Sequence, residues 1–290
     1  MSPSHHNNHR GLSCADKGPF GVARAGFTLV ELVFSMTILS FASVVLAGLM
    51  LAINGAWDHA TALEDGRRQA QATISRIKWM VQQAGTYKTS GQSTMLGIAV
   101  LASDWSGYQA PGTLVIWSGG ANGGMNAQGL QSRLPIASEL VVYKTDSANP
   151  ARLLEVTFPT NNTSIDFRSS SLATTVQTLL TSVSRQQVLL CDRIHVTPAL
   201  GASSSAGDIR FELMNSPSDS SLAGVTVGSQ QWNELPWGQG LVSADRGLRT
   251  TNIRLELMLD PDPQHPSMNG TLTTAIPYFG SVNRQYVYQP

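Results

Sequence analysis

The first strong pattern in the chain is an apolar run that extends from Phe27 to Ile53. Between Phe27 and Trp57 the sequence contains a single charged residue, Glu31. About 20 apolar residues are enough to cross a bilayer as a helix, so this run predicts a membrane span. A charge inside such a span costs roughly 2.5–3.5 kcal/mol on insertion scales and usually has a partner. Glu31 therefore needs a specific explanation.

A helical pattern continues beyond the apolar run. Apolar residues recur at steps of three, four or seven, which places them on one face of a helix. These positions are Ala56, Ala60, Leu63, Ala70, Ile74, Ile77, Val81 and Ala84. Gly85 is placed to end the helix. The sequence thus predicts one long helix whose second half buries an apolar stripe.

After Gly85 the pattern changes to short β-like runs separated by turns. The predicted strands are Leu96–Leu101, Thr113–Trp117, Glu139–Lys144, Leu153–Phe158, Gln187–Val196, Asp208–Met214, Asn252–Leu259 and Leu272–Tyr278. A short helix is expected at Leu172–Ser182, and loops at 119–129, 202–207, 216–221 and 238–247. The predicted fold class is α+β, with a long N-terminal helix packed on a β-rich globular head.

The residues at the start of the apolar run form a motif. Gly26-Phe27-Thr28-Leu29-Val30-Glu31 resembles the processing motif of type IV pilins and type II secretion pseudopilins. The resemblance implies that a prepilin peptidase cuts between Gly26 and Phe27 and that the new amine of Phe27 is methylated. It also implies that Glu31 accepts the amine of a neighbouring subunit when the helices assemble into a filament.

The same resemblance divides the chain into four parts. Residues 1–26 form a cleaved leader, 27–55 a transmembrane and assembly helix, 56–85 its amphipathic continuation, and 86–290 an extracytoplasmic head. The leader is basic, which agrees with its retention in the cytoplasm. The expected location is the inner (cytoplasmic) membrane, as a single-pass protein with a periplasmic head, and a filament after assembly. The expected partners are prepilin peptidase, other pilin or pseudopilin subunits and the inner membrane.

Two segments of the head add a more specific resemblance. Val188–Ile194 and Ile253–Leu259, separated by a loop with Trp232 and Trp237, are similar in order to the J-type minor pseudopilin and the W-type minor pilin. This implies a minor subunit that initiates or caps a type II secretion pseudopilus or a type IV pilus. The sequence leaves open which of these two filaments is meant.

Composition excludes some other functions. Charged residues make up only 13% of the chain, and the 19 basic residues balance the 19 acidic ones. Residues 1–26 carry three basic residues and one acidic residue, so their removal leaves a net charge of −2. A chain without a basic surface gives no reason to expect nucleic-acid binding.

Candidate chemistry in the head is sparse. Cys191 is the one cysteine left after processing, and its apolar neighbours favour a buried structural role over a catalytic thiol. Asp260, Asp262 and His265 match no metal-binding spacing. The glycines at 119–124 lack the Lys-Ser/Thr of a phosphate-binding loop. We therefore expect no catalytic site, no metal and no cofactor.

The apolar run and the head allow four alternative interpretations. An ordinary signal peptide has an apolar region about half as long as this one. A plain membrane anchor leaves Glu31 unexplained. A membrane-tethered ligand-binding protein predicts an exposed aromatic groove that involves residues such as Trp105 or Trp232. A tethered hydrolase predicts a clustered acid–base pair, for which the sequence shows no motif.

Overall fold

The computed structural model describes residues 27–105, 108–198, 205–260 and 275–290. Its first element, α1, is a helix of 54 residues at Leu29–Gln82, and a β-rich globular region follows. This confirms the predicted α+β class. The chain divides into two compact units, residues 1–55 and 56–290, with α1 running through the boundary.

The second half of α1 uses its apolar stripe to pack against the head. Ala70, Ile74, Ile77 and Val81 are buried as the spacing predicts, but burial begins only at Gly66. Ala56 and Ala60, which the same pattern includes, are exposed. The predicted buried face of the helix is therefore correct, but the head covers it only from Gly66 onward and not from Ala56.

Gly85 has a different role from the predicted one. The helix ends at Gln82, and Gly85 lies where the chain passes over Trp117. Its N–H donates to the carbonyl of Trp117 at 2.9 Å, and a Cβ at this position would be 2.9 Å from the Cβ of Met125. Gly85 is therefore required by a close approach of the backbone to the sheet, because any side chain here would collide.

Within the described residues, the strands form four sheets. Their bounds are β1 Thr86–Tyr87, β2 Met95–Leu96, β3 Ile98–Trp105, β4 Tyr108–Trp117, β5 Leu130–Gln131, β6 Leu140–Thr145, β7 Leu153–Thr157, β8 Gln186–Cys191, β9 Val196–Pro198, β10 Ser205–Gly207, β11 Ile209–Ser216, β12 Gly247–Leu259 and β13 Ile276–Tyr288. The helices after α1 are α2 Leu172–Thr181, α3 Asp219–Leu222 and α4 Gln230–Glu234, with 3-10 turns at Met125–Gln128, Ala137–Glu139 and Gly238–Gly240.

The largest sheet is antiparallel, in the order β3-β4-β6-β7-β8. Successive residues of its central strands point to opposite faces, and both faces are covered. Leu114 and Val141 join the core that contains the α1 stripe, while Val115 and Val142 join a second core with α2. This arrangement explains why β6 and β7 are buried along most of their length and lack a polar alternation.

A second antiparallel sheet, in the order β11-β12-β13, contributes to the same core as α1. Strand β12 has a strictly alternating burial pattern and is five residues longer at its start than predicted. The prediction placed the last strand at Leu272–Tyr278, but β13 begins at Ile276 and continues to Tyr288. Residues 272–274 lie outside the described part of the chain. A short strand, β10, also replaces the end of the loop predicted at 202–207.

A bidentate ion pair fixes α1 to the large sheet. Arg76 donates from Nε to Glu155 Oε2 at 2.8 Å and from Nη2 to Glu155 Oε1 at 2.7 Å. Tyr143 donates its hydroxyl to the same carboxylate at 3.0 Å, and only 4% of the Glu155 side chain is exposed. Hydrogen bonding to Glu155 raises the pKa of Arg76. A buried carboxylate is tolerated here because three donors compensate it.

Candidate processing and assembly site

The motif at the N-terminus of α1 forms a complete capping box. Thr28 lies directly before the first helical residue, Leu29. The Thr28 hydroxyl accepts a hydrogen bond from the backbone N–H of Glu31 at 3.3 Å, and Glu31 Oε2 accepts from the backbone N–H of Thr28 at 3.0 Å. The Thr28 hydroxyl also donates to Glu31 Oε2 at 3.0 Å. Thr28 and Glu31 thus satisfy two of the free N–H groups at the helix start.

This geometry gives Glu31 a role within its own chain. The resemblance to pilins implied only a partner in another subunit for Glu31. The signal was present, because Thr-x-x-Glu before an apolar run is the sequence signature of a capping box. Phe27 is 81% exposed beside this cap, while Gly26 and the rest of the predicted leader lie outside the described residues.

The apolar half of α1 has the composition of a membrane span. It is long and apolar enough to cross a bilayer, and the apolar side chains of residues 29–53 are exposed. Its polar side chains are satisfied within the helix. The hydroxyls of Ser35, Thr37, Ser40 and Ser43 each donate to the carbonyl four residues earlier, at 2.6–2.8 Å. Internal satisfaction of this kind is what a hydrocarbon environment requires.

In the head, one histidine lies between two carboxylates. His195 Nδ1 is hydrogen-bonded to Asp260 Oδ1 at 2.6 Å, and His195 Nε2 lies 3.9 Å from Asp208 Oδ2. Asp208 also accepts from the Thr197 hydroxyl at 2.6 Å. His195 and Asp260 are 65 residues apart in the sequence, so no motif spacing links them. The cluster links the β9 segment to the end of β12.

The remaining candidates for chemistry have structural roles in the described part of the chain. Burial raises the pKa of the Cys191 thiol, which makes it a poor nucleophile. The described residues contain no group of three side chains suited to a metal ion. Asp262 and His265, two of the three possible ligands considered with Asp260, lie outside those residues.

Three tryptophans of the head, Trp117, Trp232 and Trp237, are buried. Trp232 is 2% exposed and donates from Nε1 to the carbonyl of Ser243, and Trp237 is 5% exposed and donates to the carbonyl of Trp232. Trp117 is fully buried and donates to Glu139. The side chain of Trp105 is outside the description. Trp232 is therefore not part of an exposed aromatic groove.

The glycine-rich loop is also occupied by internal contacts. The N–H groups of Ser118, Gly119 and Gly120 all point at the carbonyl of Glu139, at 2.9–3.2 Å. Arg76 donates to the carbonyl of Ala121 at 2.8 Å. Because these amides already have an acceptor, the loop does not present them to a phosphate group.

Comparison with known proteins identifies the N-terminal motif. The sequence profile described as the prokaryotic N-terminal methylation motif matches residues 22–47. This match supports the resemblance to the precursors of type IV pilins and pseudopilins, and it implies processing by prepilin peptidase and assembly with other pilins. No curated protein matches the chain significantly. No solved structure matches it either.

Proposed function

We propose that this protein is a minor pilin or pseudopilin, a structural subunit that initiates or caps a type II secretion pseudopilus or a type IV pilus. The observation that carries the proposal is the methylation-motif match at residues 22–47, with Glu31 at the start of an exposed apolar helix. Residues 1–26 are the leader, 27–55 the membrane and assembly helix, 56–85 its continuation and 86–290 the periplasmic head.

Processing between Gly26 and Phe27 creates the amine on which assembly depends. Within one chain, Phe27 and Glu31 are four residues apart, and the carboxylate of Glu31 is already directed at Thr28. The amine of a neighbouring subunit, shifted along the filament axis, can reach Glu31 and compensate its charge in the apolar environment. In this account Glu31 first caps its own helix and then sets the axial register between subunits.

The proposed minor role rests on the head. The segments at Val188–Ile194 and Ile253–Leu259, whose order is similar to that of J-type and W-type subunits, fall on edge strand β8 and its extension and on the central strand β12. We expect a head of this size to make the specific contacts of a tip subunit. A major subunit would then form the repeating part of the filament.

Mass spectrometry of the N-terminus tests the proposal. The mature protein should begin with Phe27 carrying one added methyl group. Gly26→Val should insert in the membrane and remain uncleaved, because the peptidase requires a residue without a side chain before the cut. Gly21→Val makes the same chemical change inside the leader and should be processed normally. A mature N-terminus near Ala56 would indicate an ordinary signal peptidase and overturn the proposal.

A further inference from the structure

A groove of about 460 Å³ lies between the two main sheets of the head. One wall is built from Ile98, Ala99 and Val100 of β3, and the other from four consecutive residues of β11, 210–213. Consecutive side chains of a strand point to opposite faces of the sheet, so one face can supply only every second residue to a wall. A wall that contains consecutive residues is therefore formed by the edge of the strand. Strands β3 and β11 are each the outermost strand of their sheet.

The register shows which backbone groups of β11 point into the groove. The N–H of Met258 donates to the carbonyl of Asp208, and this pair continues the ladder in which Ile209 lies opposite Leu257. Hydrogen-bonded and non-bonded pairs alternate along an antiparallel ladder. Even-numbered residues of β11 therefore bond to β12, while the N–H and C=O groups of Phe211 and Leu213 point away from it.

Backbone groups of β3 also point into the groove. The N–H of Trp117 donates to the carbonyl of Gly97, so Ala99 bonds to β4 and the backbone groups of Ile98 and Val100 point outward. Within the described residues, these outward groups of Ile98, Val100, Phe211 and Leu213 have no hydrogen-bond partner. Their side chains belong to, or pack against, the core beneath α1, and Ile98 and Phe211 are almost fully buried.

Each charged residue that lines the groove lies near an opposite charge. Glu212 Oε2 is 4.0 Å from Arg254 Nη1, and Arg210 lies opposite Glu256 in the β11–β12 register. Arg249, at one end, is 4% exposed and donates to Asp219 Oδ1 at 2.7 Å and to the carbonyl of Pro217 at 2.8 Å. Asn215, also in the lining, accepts from the Thr251 hydroxyl at 2.7 Å. A guanidinium with its own carboxylate does not select an anion. The groups in the groove that still need partners are the outward backbone N–H and C=O groups.

We propose that this groove binds an extended peptide segment of a partner protein, which adds a strand to the free edge of β11. Strand addition supplies affinity through main-chain hydrogen bonds and specificity through alternate side chains. The segment is uncharged, and every second residue is apolar to match Leu96, Ile98 and Phe211. The inference does not depend on the filament role, since it concerns residues that the assembly helix does not supply.

Residue-resolved hydrogen–deuterium exchange on the full chain in detergent micelles tests the proposal. The probe is a pool of capped hexapeptides in which Ser or Thr alternates with Val, Ile, Leu or Phe. The amides of Phe211 and Leu213 should exchange fast in the free protein and become protected as the pool is added. The control pool carries N-methyl groups on every second amide, which removes the donors for one edge, and should protect neither amide.

Two variants separate backbone pairing from side-chain packing. Leu213→Pro removes an outward N–H without breaking the ladder to β12, and edge positions of this kind tolerate proline. Leu213→Ala removes a similar side chain and retains the N–H. The concentration for half-maximal protection at Phe211 should rise about tenfold in the proline variant relative to the alanine variant, as expected for one hydrogen bond.

Three results would overturn the proposal. One is the absence of protection with the unmodified pool. Another is equal protection by the N-methylated pool, which would indicate nonspecific apolar adsorption. The third is equal protection along β8, the edge at the other end of the large sheet, which would show that any free edge recruits the peptides.

Discussion

Replacing Arg76 with alanine should destabilise the head far more than replacing another arginine of the same helix. The change removes both charged donors from Glu155, whose side chain is 4% exposed, and leaves Tyr143 as its remaining side-chain donor. Breaking a buried pair by removing one partner costs about 3–5 kcal/mol. Arg76 itself is 32% exposed, so we expect the lower part of that range, about 3 kcal/mol.

Arg68 provides the matched control. It also pairs with a glutamate from α1, Glu64 at 3.2 Å, but the two side chains are 72% and 52% exposed. An exposed pair of this kind contributes about 0.3–0.5 kcal/mol. Arg68→Ala should therefore leave the free energy of unfolding almost unchanged, although it makes the same chemical change in the same helix.

The assay is urea unfolding of the fragment Ala56–Pro290, followed by circular dichroism. The midpoint should fall for Arg76→Ala with little change in the slope, which reports the surface exposed on unfolding. Arg76→Lys should recover only part of the loss, because an ammonium group cannot make the bidentate contact. Equal midpoints for Arg76→Ala and Arg68→Ala would show that this pair does not anchor α1 to the sheet.

Three further predictions concern other parts of the chain. A fragment that begins at Ala56 should be soluble and monomeric. A fragment that begins at Thr86 should aggregate, because without α1 the core beneath that helix is exposed. Equal behaviour of the two fragments in size-exclusion chromatography would contradict this prediction. Thr28→Val should destabilise the first turn of α1 by about 1 kcal/mol, seen as faster amide exchange at residues 29–31 in micelles, whereas Thr28→Ser should behave like the parent. Burial opposes ionisation of Glu139, but hydrogen bonds from Arg133 and Trp117 outweigh this effect and lower its pKa. The stabilisation from Glu139 is therefore present above the ordinary pKa near 4.5 and should be lost as the pH falls below that value. Glu139→Gln should flatten this pH dependence of stability in urea titrations at pH 3–6.

The sequence allowed the helix, its buried face and most strands to be predicted, because these depend on local periodicity. Ile74 and Val81 were assigned to the buried face from their spacing alone, and the structure confirms both. The strand prediction failed mainly at the ends. β12 begins earlier than expected, since Gly247 is paired with Tyr288 of β13, a partner far away in the sequence.

The contacts that the sequence could not reveal join distant residues. Arg76 and Glu155 are 79 residues apart, and His195 and Asp260 are 65 apart, so no motif links them. The groove between β3 and β11 depends on the order of strands in two sheets, which spacing does not encode. The capping box at Thr28 is local, and its Thr-x-x-Glu spacing can be read from the sequence. The resemblance to pilins explained Glu31 without it.

We propose that the charge of Glu31 recruits this subunit into a filament. Glu31→Gln tests it most directly, because glutamine retains the shape and can still accept in the capping box, so only the charge is lost. Glu64→Gln makes the same change in an exposed part of α1 and serves as the control. The subunit is then measured in a membrane fraction and in a sheared filament fraction. We predict that Glu31→Gln is inserted and processed normally but is depleted from filaments, whereas Glu64→Gln is not. Incorporation of Glu31→Gln at the level of the parent would contradict the claim.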